Sequence, residues 1–288
     1  MTNFVGPRVR DVTLRRFTAR WPFPPVATVI SSVVLVLVLV AAAAPALLTR
    51  SDPFAVAPAD RLQAPGLSHP FGTDRLGRDV FTRVIYGTGA SLTAALVAVA
   101  IAVIGGGLIG VVAGYLGGWT DRVGMRIVDV LLAVPSLLLS MTVIAATGGG
   151  TVELGVAVGI AGVATAARVV RSRTLQLRSA PFVEAAAVSG WSRPVVVSRH
   201  IVPHLWPTAA AVASVEFGQA VLAVAALGFL GFGPPPPAPE WGSMVADGRA
   251  FLADAWWLTA LPALVIMVVV LAAYRISRVI EGAHRARD

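Results

Sequence analysis

Apolar residues run through this chain in long blocks, broken by short stretches where arginine, glycine and proline collect. A helix needs about 20 mostly apolar residues to cross the hydrocarbon core of a bilayer. Six blocks are read as spans: Val26–Leu48, Ser91–Tyr115, Ile127–Thr147, Leu154–Val170, Leu205–Phe232 and Trp256–Ala273. The pattern predicts an all-α, polytopic membrane protein with six transmembrane helices, the fourth the shortest. The second block carries Gly105, Gly106, Gly107, Gly110 and Gly114, small residues that let membrane helices approach closely; close packing is expected ahead of bending. The third opens on Asp129, near the inner end with Arg126 in reach, and contains Pro135. Glu216 falls in the middle third of the fifth block, where an ionised carboxylate costs about 2.5–3.5 kcal/mol on insertion scales. It is therefore expected to face the bundle interior or a watered path. Its role is open between a pathway group near a substrate's amine and a hydrogen-bonded packing residue.

Composition agrees with the pattern and excludes several functions. Of 288 residues 56% are hydrophobic and 13% charged, with a mean hydropathy of +0.78. The net charge of +8 comes from 23 arginines and no lysine. These arginines are scattered between apolar blocks rather than gathered on one soluble face, which argues against a nucleic-acid partner. With the N-terminus inside, seventeen arginines fall on inner segments and six on outer ones. The excess of positive charge on inner loops predicts a multi-pass plasma-membrane protein with both termini cytoplasmic. The first apolar block, from Val26, is too long for a typical signal-peptide core. The expected division is a cytoplasmic tail over 1–25, a first helix over 26–48 and an extracytoplasmic loop over 49–90. A five-helix core over 91–273 follows, with a cytoplasmic loop at 179–203 and a cytoplasmic tail over 274–288.

No enzymatic site is legible. A phosphate-cradling GxxxxGK[ST] loop needs a lysine, so any nucleotide hydrolysis must come from another polypeptide. The absence of cysteine rules out disulfides and thiolate metal sites. His69, His200, His204 and His284 are dispersed, and no HExxH or GxSxG run occurs. Neither a metal nor a cofactor is expected on this chain.

One polar interruption stands out, SAPFVEAAAVSGWSRPVVVSRHIVPHL from Ser179. Pro181 suits a first helical turn. Glu184 complements the free N–H groups there, and Ala185, Ala186 and Ala187 favour helix while keeping the surface low. Gly190 permits a turn that most residues resist, and Pro194 discourages continuation. The stretch resembles the EAA loop of permease subunits in ABC importers, whose pattern is EAA, three residues, Gly, nine residues, Ile-x-Leu-Pro. Glu184, Ala185, Ala186, Gly190 and Pro203 match at that spacing, whereas His200 replaces Ile and Val202 replaces Leu. The resemblance implies a type I ABC importer permease fold with a cytoplasmic coupling helix that docks on an ATPase subunit.

Two further stretches narrow the resemblance to the dipeptide, oligopeptide and nickel branch. The first is HPFGTDRLGRDVFTRVIYG from His69; the second runs from Leu227-Gly-Phe-Leu-Gly-Phe-Gly through Pro239-Glu-Trp-Gly-Ser-Met to Asp247-Gly-Arg. In the first, Thr73 or Asp74 is placed to cap a helix carrying Leu76, Val80, Val84 and Ile85 at helical spacing. That helix is expected to lie at the outer interface before the second span, with Asp74, Arg78 and Asp79 in structural roles. Trp241, Trp256 and Trp257 are expected in the outer interfacial belt. By this resemblance the chain is a permease for di- or oligopeptides. Its implied partners are a homologous permease, two ATPase subunits that would carry ATP and Mg²⁺, an extracytoplasmic binding protein and the lipid bilayer. A nickel or glutathione permease is the near alternative. An ion-driven secondary transporter using Glu216 is the alternative from another class.

Overall fold

A computed structural model of the chain describes residues 25–285. The N-terminal tail, with Arg8, Arg10, Arg15, Arg16 and Arg20, and Arg287 lie outside the described residues. The described chain is built of helices: α1 Pro25–Ala43, α2 Val80–Leu116, α3 Gly118–Ala133, α4 Ser136–Thr147, α5 Thr151–Arg178, α6 Pro181–Val188, α7 Arg193–Val196, α8 Val202–Phe229, α9 Trp241–Gly248 and α10 Trp257–Arg285. One π-helical turn, Val197–Ile201, joins α7 to α8. Five segments are long and apolar enough to cross a bilayer: α1, α2, α5, Arg193–Phe229 and α10. The bent pair α3–α4 makes a sixth if it counts as one span.

The helix expected to start at Thr73 or Asp74 begins instead at Val80, and among the described residues no separate interfacial helix precedes the second span. Asp79 is the cap: its carboxylate accepts the Thr82 N–H at 2.8 Å. From there α2 runs 37 residues without a break. At 1.5 Å per residue that exceeds the roughly 30 Å hydrocarbon core. It stops at Gly117, whose φ of 66° takes the chain out of the helix.

The third block is not one straight helix either, since α3 and α4 meet at 96°. Val134 is extended (φ −92°, ψ 129°), the conformation imposed on a residue before proline, and Pro135 supplies no N–H to continue the ladder. The bend returns the chain between two parallel helices, α2 and α5. These pack along nearly their whole shared length because glycines remove the side chains between them. A Cβ on Gly106 would stand 2.5 Å from the Ala166 Cβ, one on Gly110 2.7 Å from the Ala167 carbonyl, and one on Gly114 2.8 Å from the Thr174 Cβ. Gly155 and Gly159 return the relation from α5, against Ala94, Val97, Ala98 and Ile101. Close packing is thus the role of Gly106, Gly110 and Gly114, while a Cβ on Gly107 would meet nothing within 4 Å.

Two cores occupy the two ends. The larger, with Leu92, Ile144, Leu154, Val224, Leu227, Trp241, Trp257 and Val269, joins α2, α4, α5, α8, α9 and α10 toward the start of α2. The smaller gathers Val170, Leu177, Val183, Ala186, Val196, Ile201 and Leu205 at the opposite end, around α6. On α1, Val29, Ile30, Val33, Val36, Leu37 and Leu39 stay exposed, as suits a lipid-facing helix. The tryptophans divide against expectation. Trp256 is exposed, but Trp241 and Trp257 are buried, each with its indole N–H on a carbonyl: Val84 at 3.1 Å and Thr73 at 3.3 Å. A buried indole needs such a partner, so these two rings brace the larger core rather than float in an interfacial belt.

Candidate functional site

At the end of the bundle where α2 and α5 finish, Ser179 and Ala180 turn the chain into α6. This helix buries Val183 and Ala186 against α5, the π turn and the start of α8, and leaves Phe182, Glu184, Ala185 and Val188 exposed. Glu184 sits in the first turn, where a carboxylate opposes the positive end of the helix dipole; it makes no ion pair among the described residues. The helix ends at Gly190, φ +82°. The Trp191 N–H reaches back to the Ala186 carbonyl at 3.3 Å, the 6→1 bond of a Schellman motif. A Cβ at Gly190 would meet no atom within 4 Å, so the glycine is required by backbone conformation and not by space.

The chain then returns under its own aromatic contacts. Trp191 packs edge-on against His200, ring centroids 5.4 Å apart, and the Arg199 guanidinium lies 5.5 Å from the Trp191 ring. Phe182 stacks on His204 at 4.7 Å. His200, in the place of the EAA pattern's isoleucine, thus acts as an aromatic wall, although its buried Nε2 has no partner among the described residues. Pro203 falls in the first turn of α8. The π turn ends just before it, with the Val202 N–H bonded to the Val197 carbonyl. A proline here cannot donate to the preceding turn, which leaves the wider ladder as the local solution. Glu184, Ala185, Ala186 and Gly190 therefore lie together on the α6 hairpin, and Pro203 marks where it re-enters the bundle.

Ion pairs fix α3 to the same end. Arg171 grips Asp121 with two hydrogen bonds, Nη2 to Oδ2 being 2.6 Å. Asp129 bonds Arg168 at 2.8 Å, not the Arg126 expected from proximity in sequence: one turn of helix separates Asp129 from Arg126, but α5 carries Arg168 alongside.

Glu216 is 7% exposed and lines a cleft of about 150 Å³ with Ser136, Ser140, Gly162, Thr165 and Gln219. Gly162 makes room for it, because a Cβ there would stand 2.9 Å from Oε2. The carboxylate accepts no hydrogen bond among the described residues. Thr165 also lines a larger, open cleft of about 540 Å³ with Arg168, Ser172, Arg173 and Gln176. Polar lining thus continues from Glu216 toward the α6 end.

At the opposite end the stretch from His69 and the stretch after α8 lock into one assembly. Asp74 accepts the Leu76 and Arg78 N–H groups and the Arg78 Nε–H at 2.7 Å. Asp79 holds His69 at 3.0 Å besides capping α2. Glu240 was not visible as a special residue in the sequence, where it follows a run of prolines and looks like loop. It is 1% exposed, and its carboxylate accepts the Gly242 and Ser243 N–H groups, both at 2.8 Å, and the Ser91 hydroxyl at 3.2 Å. Burial pushes the Glu240 carboxyl above the usual carboxylate range, against the downward pull of those donors. Its signal was the alternation of Glu240 with Trp241 before a glycine, which reads as a cap only once α9 is known.

Helices spanning a bilayer, a small exposed helix at one end and a polar cleft between them define a multi-pass membrane permease. The family model described as "Binding-protein-dependent transport system inner membrane component" matches residues 106–285, and the chain belongs to that family of ABC transporter permeases. The chain is 42% identical over 234 residues to the dipeptide transport system permease protein DppC of Alkalihalophilus pseudofirmus, covering 81% of this chain and 77% of that one. It is 40% identical over 241 residues to the probable D,D-dipeptide transport system permease protein DdpC of Escherichia coli, covering 84% and 81%. A glutathione transport system permease protein GsiD of Pectobacterium atrosepticum is 39% identical over 214 residues, covering 74% and 71%. Among solved structures, an inward-facing MetNI methionine ABC transporter superposes with a TM-score of 0.56 at 19% identity, over 69% of this chain and 97% of that one. An amino acid ABC transporter follows at 0.55 and 16%, over 70% and 94%. The fold is that of a type I ABC importer permease.

Proposed function

We propose that this chain is the permease subunit through which an ATP-driven importer passes di- or oligopeptides, and that α6 is its coupling helix. The observation that carries this is the seating of α6: one face is packed onto the end of α5, the π turn and the start of α8, while Glu184, Ala185 and Val188 point away, ready for a partner. A homologous permease would complete the pathway, two ATPase subunits would bind ATP and Mg²⁺, and an extracytoplasmic binding protein would deliver peptide. With α6 cytoplasmic, both termini are cytoplasmic. Nucleotide-driven movement of the ATPases pushes α6, and the glycine-locked α2–α5 pair carries the push toward the Glu216 cleft as a rigid body. The peptide assignment draws on relatives that include a glutathione permease, itself a handler of a short peptide.

Reconstitution with the partner subunits tests the reading: labelled dipeptide should accumulate in vesicles only when ATP is present, with glutathione as the competing substrate. Glu216 supports the second reading, an ion-driven transporter, and the same vesicles separate the two. Uptake that persists without ATP and collapses with the proton gradient would favour the ion-driven scheme.

A further inference from the structure

At the end of the bundle opposite α6, a cavity of about 490 Å³ opens between the turn preceding α2 and the chain leading from α8 into α9. Arg75, Arg78 and Arg83 line it, facing Ser243 and Asp247 of α9. Arg78 and Arg83 are 8% and 5% exposed, unusual burial for guanidinium groups. Their known bonds use only part of their capacity. Arg83 gives Nη1 to the carbonyls of Pro53 and Pro237 at 3.1 and 3.4 Å, and its Nε lies 3.8 Å from Asp74. Arg78 spends Nε on Asp74, and its two Nη groups have no partner among the described residues. Arg75 is exposed and has none there either. Asp74 is already occupied by the Leu76 and Arg78 N–H groups. Three guanidinium groups line the cavity against the one lining carboxylate of Asp247, with Asp74 behind Arg78 and the Glu240 carboxyl buried beside Gly228, so positive charge predominates around a space large enough for more than an ion.

We propose that this arginine-lined cavity is a carboxylate-binding site at the outer mouth of the permease, taking the C-terminal carboxylate of an arriving peptide. A guanidinium presents paired N–H groups that match the two oxygens of a carboxylate, and every unblocked linear peptide ends in that group whatever its side chains. The site rests on the peptide-import reading for its natural ligand, but not for its chemistry. An aspartate or glutamate of the delivering binding protein offers the same group.

The test uses the complete importer in nanodiscs and an arginine-selective dicarbonyl reagent, with labelling read residue by residue by mass spectrometry. N-acetyl-dialanine should lower labelling of Arg75 severalfold, its C-terminal amide should not, and Arg122 at the other end should be unaffected by either. Equal protection by acid and amide, equal protection by inorganic phosphate, or no protection overturns the proposal. This readout needs no transport, so it stands apart from the ATP-dependent uptake that tests the importer itself. The source is then separated with Arg75→Gln in vesicles. A KM raised about fivefold or more for free peptides, but unchanged for their amides, assigns the site to substrate. An equal loss for both, with weaker association of the binding protein, supports the same carboxylate site with the docking protein as its source. No change in either overturns the proposal.

Discussion

Gly190 and Glu240 show how single residues carry structure here for opposite reasons. Gly190 is demanded by its φ of +82° alone. A β-branched residue in that region costs about 1–2 kcal/mol, whereas asparagine tolerates it. Gly190→Val should therefore cut ATP-dependent uptake at least about tenfold with a normal amount of protein in the membrane, and Gly190→Asn should retain most of it. Equal loss in both would show that something other than backbone conformation is required there. Glu240 is demanded by its donors: Glu240→Ala strands buried N–H groups and should destabilise by about 1–3 kcal/mol, read as a lower Tm in nanodiscs. Because burial raises its pKa, the folded state holds the proton more tightly than the unfolded state does. Its contribution is then fullest below the ordinary glutamate range and is lost as pH rises through the folded pKa. Glu240→Gln should flatten the fall of Tm on the alkaline side of the ordinary glutamate range. An unchanged slope would mean that Glu240 is not the group titrating.

At the scale of elements, the pair α2–α5 is the structural axis, and glycine position decides which substitutions it bears. Gly110→Ala places a methyl group 2.7 Å from the Ala167 carbonyl, so the helices must separate or the variant must lose stability; Tm should fall by several degrees. Gly107→Ala, facing open space, should hold or raise Tm, since alanine is favoured over glycine in a helix by about 0.8–1.0 kcal/mol. The reverse ranking would mean that α2 and α5 do not meet along this face. These helices are legible in the sequence because an apolar run of membrane length is a strong signal. The bend at Pro135 is not, because apolar composition continues unbroken through it while the backbone does not. The sequence suggests a separate interfacial helix from Thr73 or Asp74 ahead of a span at Ser91, because Leu76 and Val80 share a helical spacing, yet Asp74 spends its carboxylate on a turn and leaves Asp79 to cap one continuous helix from Val80. The α6 hairpin was legible from Glu184 to Gly190 because its determinants are local. The Asp129–Arg168 and Glu240–Ser91 contacts were not, since each joins residues brought together only by the packing of separate helices.

For the whole molecule, everything depends on which way the bundle sits in the bilayer. Since α2 and α5 run parallel, α6 lies at one end, and the Gly72–Asp79 turn and Glu240 lie at the other. A push on α6 would be delivered into Val170, Leu177, Ile201 and Leu205, since close-packed interiors transmit displacement instead of absorbing it. The far end, tied by Asp74, Arg78, Arg83 and Glu240, then has to move with the helices or hinge at the α3–α4 bend. The proposed coupling role requires α6 to lie inside, and the chain has no cysteine, so one introduced thiol reports its own side of the membrane without background. Ser189→Cys, on the exposed end of α6, should react with a membrane-impermeant maleimide in inverted vesicles and not in intact cells. Leu67→Cys, fully exposed in the opposite loop, should show the converse. Adding the ATPase subunits should slow labelling of Ser189→Cys and leave Leu67→Cys alone, because only the α6 end would be covered. Labelling of Ser189→Cys from outside intact cells would remove the site where an ATPase could push, and with it the coupling role assigned to α6.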